Sequence, residues 1–578
     1  MNRAAFLVGR WLLGDSYRKS ALPIHTNSFY TTSKKCFWNS NKKLTFIRAI
    51  SRSTLTMAAY REEPPCFIVK NRTRFLRYFS ETKDANLATS IDVLLKEDLE
   101  KYLETQPSSV RAWLHSNSFV PFKGKETKWI AVPSQNFPGK IEKLVLVLGD
   151  GMSFGGARWM GFAVLPSSAP AGLYKLGFVS ERAHEHGFTS TRAAFAWALG
   201  CYSFPVYKGA NEAKNNTSSV ADISPDPAFL PVFIWPMDCD KSLVESCASA
   251  TFLVRDMIST PAEDMGPAGI ENTARLLAEE YSGASVRSIV DEDLIKENFP
   301  QVYMVGRGAS QKHRARVIEL VAGDPNHPTV CLLGKGVSFD SGGLDIKPAS
   351  GMRLMKKDMG GAAHALGLAS MVLSSKLPIH LRVIISAVEN AVDGESYRPG
   401  DILKARNGLT TEVGNTDAEG RLILADALVY ACEFSPQLVV DFATLTGAAR
   451  VALGTDVAVF FSNDEQFAEK LEQAARQVDD PVWRLPLYCG YRPQLDSKFA
   501  DLRNIGEGGA AGYGGSIVAA LYLQEFVNRS IPWIHFDIMA YNIASKPGKP
   551  EGGEAMGMRA VHRLLEDKFS SSSRSEMI

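Results

Sequence analysis

No two of the eight cysteines in this 578-residue chain form a CxxC pair. They stand at positions 36, 66, 201, 239, 247, 331, 432 and 489, too scattered for a zinc ribbon or a disulfide framework. Cys331 and Cys432 fall in apolar runs and read as reduced core thiols, which fits a reducing compartment. No apolar run reaches the roughly 18–20 residues that span a bilayer, so no membrane partner is expected. A net charge of +1 gives no electrostatic case for nucleic acid. A phosphate loop is missing too. The GDGMSFGG stretch at 149–156 lacks both Gly-Lys-Ser/Thr and the GxGxxG spacing, and reads as a tight surface turn. His184-Glu185-His186 is not HExxH, whose histidines lie one helical turn apart on one face; it reads as a solvated helix end. There is no internal repeat and no coiled coil.

What is present is ordinary in bulk, with 45% hydrophobic and 22% charged residues. The length suggests two to four domains. Residues 1–57 stand apart: they hold ten Lys/Arg and one acid, Asp15, are rich in hydroxyl side chains, and open on RAAFLVGRWLL. That is the composition of a mitochondrial transit peptide, which places the protein in the matrix. Met57 is a plausible alternative start, and would leave the product in the cytoplasm.

From 58 to 235, short apolar runs at 129–132, 144–148, 161–165, 173–178 and 201–206 read as strands, and 191–199 as a helix: an N-terminal α/β domain. Residues 209–228 are polar and turn-rich and read as a loop. A larger α/β domain follows over 236–567. Helices are expected at 242–258, 269–281 and 555–565, and strands at 286–289, 316–321, 329–333, 381–387, 437–442, 457–461 and 533–538. Doubly apolar strands alternating with helices predict a mostly parallel central sheet with helices on both faces. Residues 568–578 are a polar tail.

The chemistry concentrates in GKGVSFDSGGLDIKPASGMRLMKKDMGG, residues 334–361, between the apolar run TVCLL and the helical pattern AAHALGLASMVL. Strand, glycine-rich turn, charged residues and helix is how α/β enzymes present chemistry at the carboxyl ends of strands. The stretch carries Lys335, Asp340, Lys347 and Asp358. About sixty residues later NTDAEGRL, 415–422, places Asp417 and Glu419 at the start of another helical pattern. Alone, such acids cap a helix. If both loops follow parallel strands of one sheet, the four acids converge. Four buried acids need cations to neutralise them. Hard oxygen ligands suit Mg²⁺, Mn²⁺ and Zn²⁺, and four carboxylates are enough for two ions bridged by shared ligands. No histidine belongs to the cluster, which weakens a zinc-only site. A lysine among carboxylates is a salt bridge, a neutral metal ligand or an electrophile for a carbonyl oxygen.

The segments GKG, FDSGG, IKP, KKDMGGAA and NTDAEGRL, in this order and spacing, resemble the leucyl aminopeptidase family, the cytosol-type dinuclear metallo-aminopeptidases. The resemblance continues through ATLTGA at 443–448 and VRDMISTPAEDMGP at 254–267, more weakly through WIHFDI at 533–538, and covers roughly 245–567. It implies that Lys335, Asp340, Asp358 and Glu419 hold one divalent ion and Asp340, Asp417 and Glu419 the other. It implies that Lys347 contacts the substrate carbonyl, and that Arg421 binds a bicarbonate acting as general base toward a metal-bridging water. Met355, Thr444, Leu445 and Gly447 align with substrate-contacting positions, and suit an apolar N-terminal residue such as Leu or Met. Peptide substrates, loss of the N-terminal residue by hydrolysis, and a homohexamer are implied with them. Arg353, Lys356 and Lys357 depart from the acidic or aromatic residues expected beside the pocket. They read as solvated, or as tilting preference toward acidic or longer peptides. The alternatives are a catalytically silent structural member of the family and another two-metal hydrolase, such as a phosphoesterase.

Overall fold

The computed structural model describes residues 64–82, 85–150, 158–207, 226–507 and 512–570. The expected transit peptide, nearly all of the polar loop at 209–228 and most of the C-terminal tail lie outside the described residues. So does most of the GDGMSFGG turn. No described helix is long and apolar enough to cross a membrane.

Six strands build the N-terminal sheet: β1 (Phe79–Ser80), β2 (Thr89–Leu95), β3 (Lys128–Pro133), β4 (Ile141–Leu148), β5 (Gly172–Val179) and β6 (Pro231–Ile234). Their order is β1-β6-β5-β2-β4-β3, and every neighbouring pair is parallel except β3 with β4. β2 and β4 are apolar along consecutive residues because both of their faces are covered; Val93 to Leu95 and Leu144 to Leu148 are all buried.

Two expected strands do not form. Residues 161–165 lie instead in a 3-10 helix, Trp159–Val164, that leads into the short helix Leu165–Ser168. Trp159, Phe162 and Leu165 recur every third residue and are fully buried. So short an apolar run does not separate that period from a strand's. Residues 201–206 are the turn that leaves the helix Ser190–Gly200, and Pro205 has no N–H to offer a ladder.

The second half contributes β7 (Ser285–Val290), β8 (Arg316–Ala322), β9 (Thr329–Asp340), β10 (His380–Asn390), β11 (Ile402–Lys404), β12 (Thr410–Glu412), β13 (Leu438–Ala443), β14 (Ala458–Ser462), β15 (Val482–Arg484), β16 (Leu502–Arg503) and β17 (Trp533–Asp537). Eight of these form one sheet in the order β15-β14-β17-β13-β9-β10-β8-β7; its centre, β17-β13-β9-β10, is parallel. β11, β12 and β16 make a separate small sheet. Alternate residues of β9 feed two cores. Val330 and Leu332 join a core with the helices Lys241–Ser259, Gly360–Ser375 and Met558–Phe569. Cys331, Leu333 and Val337 join another with Glu419–Cys432 and Gly515–Gln524. A mostly parallel sheet with helices on both faces is therefore the observed architecture. The Gly360–Ser375 helix starts tight against the sheet: a Cβ on Gly361 would lie 2.0 Å from the carbonyl oxygen of Phe442.

Two expectations about the charged loops change. The strand expected over 329–333 runs on to Asp340, so Lys335 and Asp340 sit on β9 itself, paired with Ser386 and Asn390 of β10. The NTDAEGRL loop follows no strand of the large sheet. It follows β12 of the small sheet, which carries it to the carboxyl edge from outside.

Candidate metal centre

Four segments meet where β9 ends. β9 supplies Lys335 and Asp340. The chain then reverses through Gly342 and Gly343, whose φ angles of +88° and +65° disfavour other residues, and presents Lys347. A 3-10 helix, Met355–Met359, supplies Met355 and Asp358. The loop after β12 and the first turn of Glu419–Cys432 supply Asp417, Glu419 and Arg421. The segment after β13 supplies Thr444, Leu445 and Gly447. All eleven residues singled out in the sequence line one cavity of about 420 Å³.

Lys335 Nζ lies 2.7 Å from Asp358 Oδ2 and 2.8 Å from Glu419 Oε1. Its stem occupies the space beside Gly420, where a Cβ would lie 2.5 Å from Lys335 Cε. Lys347 Nζ lies 2.7 Å from Asp340 Oδ2 and also pairs with Asp417. Asp340 Oδ1 accepts from Gly342 N and Asn390 Nδ2, both at 2.9 Å. Asp358 Oδ1 accepts from Thr444 Oγ1 at 2.8 Å. Glu419 Oε2 is buried with no hydrogen-bond partner among the described residues. Ligand atoms of Asp340, Asp358 and Glu419 lie within 4.8 Å of one another. Asp417 sits at the mouth, its side chain 33% exposed.

Charge is unevenly balanced in this arrangement. Burial and the Asp358 carboxylate push Asp340 up to about 6, and burial with Asp340 pushes Glu419 up to about 8. Burial alone would lower Lys335, yet Asp358, Glu419 and Asp340 hold its ammonium above the ordinary range. Burial also opposes charge on Lys347, and Asp340 and Asp417 reverse that effect. Lys335 and Lys347 thus pair with the four carboxylates, and Glu419 Oε2 is left without a donor. That donor set, all oxygen plus one amine, fits divalent cations.

Arg421 donates through Nη1 to the Asn504 carbonyl at 2.6 Å; its Nε has no partner among the described residues. Burial lowers its pKa from the ordinary value. The expectation that Arg353, Lys356 and Lys357 are all solvated fails. Arg353 is exposed, and Lys356 donates to the Ser259 carbonyl. Lys357 is 1% exposed, lines the cavity, and is pushed down to about 8 by burial.

Sequence reasoning missed the residues that hold the loops. Asn390 and Tyr397 both donate to the Thr416 carbonyl, at 3.1 and 2.6 Å, and Asp345 Oδ2 accepts from Thr416 N at 2.8 Å. Asn504 accepts from Gly414 N and donates to the Asn415 carbonyl, both at 2.7 Å. Asp537, at the end of β17, accepts from Leu445 N at 3.0 Å and Thr446 N at 2.9 Å, and from the hydroxyls of Thr446 and Ser516. Asp345 and Thr416 lie inside the acid-bearing stretches and Asp537 inside WIHFDI, but no role was read for any of them; Asn390 and Tyr397 are single polar residues outside those stretches.

Residues 252–562 match the cytosol aminopeptidase family, catalytic domain, and residues 89–217 match the M17 aminopeptidase N-terminal domain. A probable cytosol aminopeptidase of Chlamydia trachomatis is 40% identical over 331 residues, 57% of this chain and 65% of that protein. The matched stretch therefore spans just under two thirds of the chlamydial relative. A probable cytosol aminopeptidase of Caulobacter vibrioides is 34% identical over 453 residues, 77% of this chain and 86% of that protein. Among solved structures, the cytosol aminopeptidase of Coxiella burnetii superposes with a TM-score of 0.74 at 39% identity, covering 85% of this chain and 99% of that one. The bottromycin maturation enzyme BotP in complex with Mn superposes with a TM-score of 0.69 at 30% identity, covering 83% and 99%.

Proposed function

The chain belongs to the cytosol aminopeptidase family, and from that premise we propose that it is a metal-dependent aminopeptidase that removes the N-terminal residue from peptides. The observation that carries this reading is the convergence of three buried carboxylates, Asp340, Asp358 and Glu419, with Lys347 and Asp417 at the mouth of the same cavity.

Lys335, Asp340, Asp358 and Glu419 would hold one divalent ion, and Asp340, Asp417 and Glu419 a second, with Mn²⁺, Zn²⁺ or Mg²⁺ as candidates. Bound there, the ions supply Lewis acidity, which lowers the pKa of a water and polarises a carbonyl. The remaining steps fall to the chain. A free α-amine would be a further ligand to an ion held by these carboxylates and a blocked one would not, which favours an exopeptidase. Lys347 is placed to donate to the scissile carbonyl oxygen and to stabilise the oxyanion as it develops. Among the described residues no histidine lines the cavity to take the proton. Arg421, with its Nε free, suits a planar anion such as bicarbonate in that role. Met355, Leu445 and Gly447 offer an apolar wall for the first side chain, as in Leu or Met.

The test is release of leucine from leucine amide and from its N-acetyl derivative, with Mn²⁺ and bicarbonate, alongside elemental analysis of wild type and Glu419→Ala. Hydrolysis of the free amide alone is expected, with on the order of two ions per chain. In the variant, metal content should fall and turnover drop by on the order of 10³-fold or more. Normal turnover by Glu419→Ala, or cleavage of a phosphodiester in place of the amide, would overturn the reading.

A further inference from the structure

The cavity holds a lysine that no described acid pairs with directly. Lys357 lies on the 3-10 helix Met355–Met359, is 1% exposed, and its Nζ has no hydrogen-bond partner among the described residues. The acids whose charge reaches it are engaged elsewhere. Asp358 gives Oδ2 to Lys335 at 2.7 Å and Oδ1 to Thr444 at 2.8 Å. Asp537 uses both oxygens on the backbone and hydroxyls of Leu445, Thr446 and Ser516. Arg450 lines the same cavity from the helix Gly447–Leu453, and its guanidinium makes no hydrogen bond or ion pair with a described residue. A buried ammonium without a partner is unfavourable, and is relieved either by shedding its proton or by an anion that the cavity's occupant supplies. Met355, Leu445 and Gly447 line the cavity with these two cations, so an occupant meets apolar surface and uncompensated positive charge together.

We propose, resting on the aminopeptidase reading of this cavity, that Lys357, seconded by Arg450, selects peptides whose N-terminal side chain ends in a carboxylate, glutamate foremost. Met355 and Leu445 take the methylene stem, and the carboxylate pairs with the ammonium. Leucine and methionine fit the same wall but leave Lys357 unpaired. Glutamine matches glutamate in shape but lacks its charge.

The test compares kcat/KM of the Mn²⁺-loaded full chain on the anilides of glutamate, glutamine and leucine, none of which carries another carboxylate. Glutamate should exceed glutamine by about tenfold or more, the range of one charge-assisted hydrogen bond. Lys357→Met should lower the glutamate-to-leucine ratio by about tenfold or more, and Lys357→Arg should restore most of it. Calorimetry should show free L-glutamate binding wild type more tightly than L-glutamine, and losing that advantage in Lys357→Met. The wild-type comparison stands even if a variant fails to fold. Leucine anilide cleaved while glutamate fares no better than glutamine overturns the proposal and leaves the aminopeptidase reading intact. So does an unchanged ratio in Lys357→Met. A Lys357-dependent gain confined to dipeptides with a free C-terminus also overturns it, by assigning the carboxylate to the far end of the substrate. Hydrolysis of none of the three overturns the underlying reading itself.

Discussion

Lys347 pairs with Asp340 and Asp417 at once, from the open side of the cavity. Lys335 pairs with Asp358 and Glu419 from the closed side, on the strand. The two lysines look alike in the sequence, each beside a proline or glycine motif, and their surroundings separate them. Lys335 is enclosed by acids, and on the proposed reading it would exchange its proton for a metal. Lys347 sits toward the opening, where on the same reading it would keep its proton for a carbonyl oxygen. Lys347→Ala should therefore retain full metal content, because it removes a positive charge that competes with cations, while kcat falls by about 10²–10³-fold, the range for one oxyanion donor. Elemental analysis and steady-state kinetics on the same preparation check this. Metal loss in Lys347→Ala would move Lys347 among the ligands.

Among the elements, the helix Gly360–Ser375 joins the site to the C-terminal helix, and its pivot is His364. The ring lies fully buried against Phe442, with Nδ1 2.6 Å from the Gly360 carbonyl and Nε2 accepting from Met556 N at 2.9 Å. Burial pushes its pKa from 6.5 down to about 4, so the folded chain keeps it neutral. Below pH 6.5 the unfolded chain binds a proton here that the folded chain refuses. Stability from this group is thus present above pH 6.5 and is lost as pH falls toward 4. The gap between 6.5 and about 4 corresponds to ~3 kcal/mol. Denaturant unfolding of wild type and His364→Gln across that window should show the wild-type advantage shrinking by about this amount; a constant difference would mean the histidine is protonated in the fold. At this scale the sequence was legible where period or repetition spoke: the apolar strands β4, β9 and β13, the long helices, and both acid-bearing motifs. It was not legible where an element's fate depends on a distant partner. The Trp159–Val164 helix is set by what Trp159 and Phe162 pack against, and β9 extends to Asp340 because β10 pairs with it that far. β12 exists only between β11 and β16, about ninety residues later in the chain. Among the polar residues holding the loops, Asn390 and Tyr397 carry no local pattern, and Thr416 and Asp537 lie in noted motifs that do not themselves say which backbone groups they hold.

In the whole described molecule the two large sheets share one core. Ile91, Phe162 and Trp197 from the N-terminal half belong to the same buried cluster as Val330, Phe442 and Phe536 of the large sheet. The helix Lys241–Ser259 lies between them. Phe252 packs edge-on against Phe75 at 5.4 Å and against Tyr202 at 5.0 Å. Asp256, fully buried, pairs with Arg74 at 2.7 Å and accepts from Tyr202 at 2.8 Å. One turn of a helix that supports the large sheet is thus tied to the first described turns of the N-terminal half. Removing the acid leaves the Arg74 guanidinium buried and unpaired, a loss of about 3–5 kcal/mol. The pair itself is worth less than that, because both ions gave up water to form it. Asp256→Ala should lower the unfolding free energy by that amount, and the paired change Arg74→Met with Asp256→Leu should recover most of it. Because the core is continuous, the loss should shift a single transition, with tryptophan fluorescence and metal release moving together during denaturant unfolding. Two separated transitions, with only the earlier one shifted by Asp256→Ala, would show that the N-terminal half unfolds on its own and that this contact does not reach the site.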